Sequence, residues 1–492
     1  MAAKFLISGG TGNWNSTSNW ATTSGGASGA AFPTVSDDVI LDGHSNANLT
    51  VNVASACLSF SASPTYTNTL TMTSTLTSSG NVTLGSGMTI SGAGALIANA
   101  TSTLTSNGKV WTGALTLSTS STKTLADNWI VNGLCTSLTL TQTVNNPGSL
   151  ILNGGLTMTA AMNGTAQVIL QGGTLSGAGI LANPLAFSGN CTLGTFSFGA
   201  AGSPLMSYSA GTVSTAGSVF NTSSNATINC SAVTFNNVVF GSSAGVITLS
   251  DNLNLSGTVS SGAATTTTLN GAFNINVLNK GIVSIGTNWG GTATINFTSG
   301  GAFSGATSAS ILSNPTIINT TGASFNSFTY RTNVMSWNQV GASTFGASTI
   351  LLNTNPTWMI NTTGLSLNTL QVGSSTVSAI FSGSNGFSMN NYLCTAAAAN
   401  KSTWKSGNTY TINTSLSANT TLAFAHVWAS STPGQRYFIT LAPGCNCDVL
   451  FASITDADSS QGRTGWNNKG TLSNCVNWNL LPSSPIQYNS II

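Results

Sequence analysis

The sequence predicts an all-β protein, an elongated β-solenoid or β-helix-like stack with distinct N-terminal and C-terminal β caps. Three observations predict it. Only ten Lys or Arg and eight acidic residues occur among 492, 4 % of the chain where a globular domain carries about a quarter. Short alternations of apolar with Ser, Thr or Asn recur along its length, as in Thr50-Val51-Asn52-Val53 and Leu70-Thr71-Met72-Thr73. No sustained i, i+3, i+4 apolar stripe occurs, and Gly or β-branched residues interrupt almost every window that a helix would need.

In chain order, the alternations read as strands at Asn48–Val53, Thr69–Thr73, Asn81–Leu84, Ala114–Ser118, Ser137–Gln142, Ser149–Leu152, Gln167–Leu170, Val246–Ser250, Ala272–Val277, Thr292–Phe297, Thr349–Leu352 and Thr421–Phe424. Most are flanked by Gly, Asn or Ser, the residues of tight turns. Ala396–Asn400 is the one short run with helix propensity. A β-solenoid coil takes roughly 20–25 residues, so residues 60–395 read as a repeat region of on the order of fourteen coils. At about 4.8 Å per coil the stack is on the order of 65–70 Å long. The repeat is loose: Gly92–Ile97 and Gly177–Ala182 echo each other, but no fixed period runs throughout.

Stacking accounts for the missing charge. Equivalent side chains lie about 4.8 Å apart on successive coils, so like charges in one row would repel. Thr, Ser and Asn rows avoid that cost and hydrogen-bond to one another. The stack leaves two open ends, which need covering, and both ends differ in composition. Residues 1–59 hold Trp14, Trp20, Pro33 and Asp37, Asp38 and Asp42; residues 396–492 hold Trp404, Trp428, Trp466 and Trp478 with half of the Lys and Arg. The segments read as an N-terminal cap or attachment segment (1–59), a repeat region (60–395) and a C-terminal β module (396–492). The six Trp read first as cap residues; the functional alternative is a glycan-stacking surface, since flat rings pack on sugar faces.

Few reactive groups remain. Asp448, Asp456 and Asp458 are the best carboxylate set, and a glycoside hydrolase needs two carboxyls roughly 5–10 Å apart. Asp456 and Asp458, two apart on a strand, would share a face; the simpler reading is an Asx-type turn between strands, and no catalytic residue is expected. Asp37, Asp38 and Asp42 lack the alternating spacing of a Ca²⁺ loop, and His44 and His426 stand alone. No metal or other cofactor is expected. Gly241–Gly245 matches Gly-x-Ser-x-Gly, but no helix follows as that nucleophile turn requires. Five Cys (57, 135, 191, 230, 394) are isolated and read as core residues. Cys445, Cys447 and Cys475 leave open a disulfide from one of the pair to Cys475, with buried free thiols preferred. No basic run tracks phosphates, so nucleic acid is not an expected partner. No apolar window approaches a membrane span, and the N-terminus lacks the h-region of a signal peptide.

Two end stretches carry a resemblance. Gly9-Gly10-Thr11-Gly12-Asn13-Trp14…Asn19-Trp20-Ala21-Thr22-Thr23-Ser24-Gly25-Gly26, followed by Pro33-Thr34…Asp37-Asp38-Val39, resembles the opening of tailed-bacteriophage virion proteins of the β-solenoid or fibre type. Ala429-Ser430-Ser431-Thr432-Pro433-Gly434 and Ile454-Thr455-Asp456-Ala457-Asp458-Ser459-Ser460, with a final Trp strand at Trp478, resemble their closing module. The pattern departs after Ser460, where Gln-Gly-Arg-Thr-Gly-Trp takes the place of a second Gly and a longer polar loop. The resemblance covers about 130 residues and carries no catalytic residues to transfer. It implies a virion structural protein, a non-enzymatic fibre, spike or decoration on head or tail. Such a protein assembles in the host cytoplasm with other virion proteins, as a homotrimer, and adheres to host-surface glycans. The alternatives are a polysaccharide depolymerase tailspike using Asp448, Asp456 or Asp458, and a bacterial surface adhesin.

Overall fold

The computed structural model describes residues 2–7, residues 12–240 apart from 119, 139, 201 and 223, and, from 245 to 481, the strands with part of the connections between them. It is an all-β parallel β-solenoid. Among the described residues the only helical turn is the 3-10 turn Thr17–Asn19. The run 396–399, the Gly-x-Ser-x-Gly residues 241–244 and the strand expected at 421–424 lie outside the described residues. The chain forms two compact units, Met1–Asn236 and Asn237–Ile492.

In the first unit each coil places one short strand on each of three faces. The coil Thr122–Leu125, Trp129–Val131, Cys135–Ser137 shows the pattern. Thr122–Leu125 pairs in parallel with Ser102–Thr105 and Gln142–Asn145. Trp129–Val131 lies between Val110–Trp111 and Leu150–Leu152, and Cys135–Ser137 between Leu115–Leu117 and Gly155–Met158. The register partners Leu96, Leu115, Cys135, Leu156 and Leu175 put about 20 residues in a coil. That is the short end of the expected range.

Three-residue strands suffice because the first and third residues point inward and the middle one outward. Leu96, Leu115, Cys135, Leu156 and Leu175 form an inward column and are all buried, each Leu contributing about 2 kcal/mol of apolar burial. Cys135 therefore substitutes for a Leu, and burial pushes its thiol up to about 12. The outward column beside it reads Thr77, Ile97, Thr116, Thr136, Thr157. Polar rows hydrogen-bond from coil to coil: Asn153 Nδ2 donates to Asn132 Oδ1 at 2.7 Å, and Ser91 Oγ to Thr71 Oγ1 at 3.1 Å.

One expected strand is displaced. The alternation Ser137–Gln142 is a corner between Cys135–Ser137 and Gln142–Asn145, and its Leu140 is 51 % exposed. Alternation alone does not mark where a coil bends. The stretch read as an N-terminal cap is also partly coil, because parallel pairing begins at Ala2–Leu6 with Asp37–Leu41 and Asp37–Leu41 pairs on with Ser59–Ala62.

The second unit repeats the three-faced winding and then changes it. Its third face keeps Asn254, Asn276, Asn296, Asn319 and Asn338 in one register row, and Asn276 Nδ2 donates to Asn254 Oδ1 at 2.8 Å. Further on, strands lengthen at Ser366–Val372, Ser388–Cys394 and Thr409–Asn419. Thr409–Asn419 pairs with two shorter strands, Tyr437–Leu441 and Asn446–Leu450. Coils continue to Trp478–Leu481, so much of the stretch read as a C-terminal module is wound in the same way.

Among the described residues, charges on strands occupy rows without like-charged neighbours. Lys123 lies between Ser102 and Val144, and Asp38 beside Ser59. Lys123 is the most deeply buried of the described charged residues. Its side chain is fully buried, and its Nζ donates to Ala100 O at 2.7 Å and to Ser121 Oγ, with no carboxylate among the described residues in contact. Burial lowers its pKa to about 8. Lys123→Met keeps the stem volume and removes a buried charge, so it is expected to stabilise the protein by about 1–2 kcal/mol at pH 7. Unfolding in denaturant checks this. The gain should shrink from pH 8 towards 10.5, where native Lys123 has lost its proton and the unfolded chain still holds it.

Candidate functional site

At the N-terminal end, the motif residues build a lid. Gly12 sits at φ +81°, and a Cβ there would lie 2.5 Å from Asn48 O, so only glycine fits. Trp14 N donates to Thr50 O at 2.8 Å, which ties the segment to the strand Leu49–Val51. Asn19, fully buried, donates from Nδ2 to Asn13 O at 2.5 Å and accepts from Gly12 N at 3.3 Å. Trp20 Nε1 donates to Trp14 O at 2.8 Å, and the two rings meet edge to face at 5.4 Å. Trp20–Ala21 pairs antiparallel with Ala2–Leu6, whose other side pairs with Asp37–Leu41. The first edge of the unit is thereby covered.

The nearby carboxylates are not brought together. Asp37 Oδ2 accepts from Thr34 N at 2.9 Å and Thr34 Oγ1 at 2.8 Å. Burial raises its pKa, but those two bonds and the Lys4 charge outweigh it and leave the group lowered. Asp38 accepts from Ser59 Oγ at 2.5 Å. Asp42 accepts from His44 N and Ser24 Oγ, at 2.9 and 2.5 Å. Three separate turn and strand roles leave no shared cation cradle. Among the described residues no group of three or more His, Cys, Asp or Glu is placed to hold a metal ion.

At the C-terminal end, Asp456 acts as a clamp. It stands between the strands Ser453–Thr455 and Ala457–Asp458 at φ +58°, so the alternation that would place Asp456 and Asp458 on one face is broken. Asp456 Oδ2 accepts from Gly434 N at 3.0 Å, and Oδ1 accepts from Asn474 Nδ2 at 2.6 Å. Arg436 adds bonds from Nε and Nη2 to Asn474, at 3.2 and 3.0 Å. The Pro433-Gly434 turn, Asp456 and Asn474 are thus joined through one carboxylate. Asp458 Oδ1 accepts from Ser460 N at 2.8 Å, an Asx turn. Asp456 and Asp458 are buried, whereas Asp448 is exposed on Asn446–Leu450.

Five of the six Trp are buried: Trp14, Trp20, Trp404, Trp428 and Trp478. Trp404 stacks on Phe381 at 4.4 Å, and Trp428 meets Trp478 edge on at 5.8 Å. A ring enclosed in this way has no face for a sugar, so the glycan-stacking alternative is left with half-buried Trp466. Cys445, Cys447 and Cys475 are free thiols, as are the other five Cys, and burial raises the pKa of all three.

Two features escape sequence reasoning. His426 is fully buried within a cluster of Tyr392, Cys394, Asn400 and Ser402; a lone His beside an alternating stretch gives no sign of it. A neutral groove of about 310 Å³ runs over the turns at Gly364, Ser384–Gly386 and Gly407–Thr409. Its signal lies in Gly383-Ser384-Asn385-Gly386 and Ser406-Gly407-Asn408, glycine turns about one coil apart.

No helix among the described residues is long and apolar enough to cross a membrane. No protein-family model, curated protein or solved structure matches the chain.

Proposed function

We propose that the protein is a structural component of a tailed-phage particle: a fibre, spike or decoration on head or tail that contributes to adhesion at the host surface. The observation that carries this reading is the pair of end motifs. Their Trp, Asn, Gly and Asp residues are spent on closing and clamping coils, as the resemblance to virion proteins implies. Between them, neutral Asn, Thr and Ser rows hydrogen-bond coil to coil, giving a framework suited to display. Adhesion then consists of many weak, uncharged contacts multiplied by copy number. The groove at Ser384–Gly386 and Gly407–Thr409, lined by backbone, hydroxyl and amide groups, offers hydrogen bonds to a neutral glycan. Homotrimer formation belongs to the same proposal.

The depolymerase alternative draws no support from Asp456 and Asp458, whose carboxylates serve turns. Antibody labelling of purified particles under the electron microscope is expected to place the protein on virions. Detection only in infected-cell extracts, never on particles, would overturn the reading.

A further inference from the structure

The core of the second unit holds a hydrogen-bonded chain that the display role does not use. Strand Ser388–Cys394 supplies Tyr392 and Cys394, strand Lys401–Trp404 supplies Ser402, and Asn400 precedes it. His426 precedes Val427–Ser430. Cys394 Sγ lies 3.2 Å from His426 Nδ1, and His426 Nε2 lies 3.3 Å from Tyr392 OH and 3.4 Å from Ser402 Oγ. Tyr392 OH and Ser402 Oγ are 2.8 Å apart. Asn400 Nδ2 donates to Cys394 Sγ at 3.7 Å. Trp428 closes the side, edge to face with the His426 ring at 5.8 Å. His426, Tyr392 and Ser402 have no accessible surface, Asn400 has 1 % and Cys394 4 %.

A Cys beside a His invites a nucleophilic reading, but the chemistry opposes it. Burial pushes the Cys394 thiol up to about 11 and the His426 imidazole down to about 3. Both stay neutral at pH 7, the opposite of an activated thiolate–imidazolium pair. What the cluster has instead is an imidazole sealed among neutral groups. The titratable groups facing it are Tyr392 on Ser388–Cys394 and Cys394 at that strand's end; Ser402, Asn400 and Trp428 carry no charge. Among the described residues no carboxylate is there to compensate a proton.

We propose that this cluster is an acid-sensitive latch: it holds the coils from Ser388 to Ser430 together at neutral pH and releases them when His426 takes up a proton. Backbone bonds show how the ring is coupled to the coils. Val427 N donates to Asn400 O at 2.8 Å and Ser453 N to His426 O at 2.7 Å. Moving the ring to reach water therefore disturbs the strands on both sides of it. In the opened state His426 recovers its ordinary pKa of 6.5. Linkage then raises the opening equilibrium about thirtyfold between pH 7.5 and pH 5.

Hydrogen exchange by mass spectrometry, corrected for intrinsic rates and run on the full chain at pH 7.5 and 5.0, tests this. Peptides from 388–394, 401–419 and 427–430 should lose protection by at least tenfold at pH 5.0, while peptides from 129–187 in the first unit keep theirs. His426→Gln should remove the pH dependence. If that variant fails to fold, the wild-type comparison decides alone: equal change in both sets of peptides, or none in either, overturns the latch.

Discussion

Gly133→Ala is expected to destabilise the protein by about 3 kcal/mol, among the largest effects available to a single methyl group. Gly94, Gly113, Gly133, Gly154 and Gly173 occupy successive coils at one corner, where each backbone lies against the next. A Cβ on Gly133 would stand 2.5 Å from the carbonyl carbon of Gly113 and 2.6 Å from Ala114 N. A Cβ on Gly154 would in turn overlap Gly133, so the coils are packed on both sides of the site and cannot part locally. Gly133 is not among the residues with positive φ, which makes the effect one of space rather than conformation. Gly108→Ala supplies the contrast. It has φ +76°, and nothing lies within 4 Å of the place its methyl group would take, so only conformational strain of about 1 kcal/mol is expected. Denaturant unfolding of both variants checks the ranking; equal losses would mean that the corner is not close-packed.

That corner shows how far the sequence can be read. The fold class is legible because alternation and neutrality have one common cause, the stacking of short strands with one face inward. The coil length is legible only approximately. Strand boundaries in a solenoid are set by corners, and corners are marked by single residues such as Gly113, Gly133 and Gly154, spaced 20 and 21 apart. Those glycines are hidden among 54. The run Leu138–Leu140 reads as strand for the same reason: a Leu-Thr alternation passes a bend without changing composition.

The end segments are partly legible. Asp456 and Asp458 can be assigned to turns, because Asp favours local backbone bonds, but which turns they join depends on residues about one coil away. Gly434 and Asn474 lie 22 and 18 positions from Asp456, a separation that no local pattern reports. The His426 cluster is illegible for a related reason. Its members, from 392 to 426, lie in or just before strands and look ordinary until the winding places them side by side. In this solenoid the ring of His426 meets Tyr392 and Cys394 at separations of 34 and 32 residues.

The second large effect follows from that separation. Asp456→Ala is expected to cost about 3–4 kcal/mol, because each hydrogen bond to a buried charged group contributes roughly 1.5–3 kcal/mol and two are lost. Gly434 N and Asn474 Nδ2 are left without their acceptors, and Arg436 then holds an Asn474 that is no longer fixed. Ala at φ +58° adds strain. Asp456→Asn separates the contributions. Asn tolerates the left-handed backbone and keeps one acceptor oxygen, but it turns an amide N–H towards the other donor. Its cost should be about half that of Ala. The same pair of variants distinguishes a clamp from a catalytic carboxylate. A clamp predicts a graded loss of stability, Ala greater than Asn, measurable by denaturant unfolding. A general acid or nucleophile predicts abolished release of oligosaccharide from host glycan in Asp456→Asn, at little cost in stability. Wild-type stability in both variants would remove Asp456 from the architecture of the second unit. The carboxylate's two donors, drawn from turns on either side of it in the chain, favour the graded outcome.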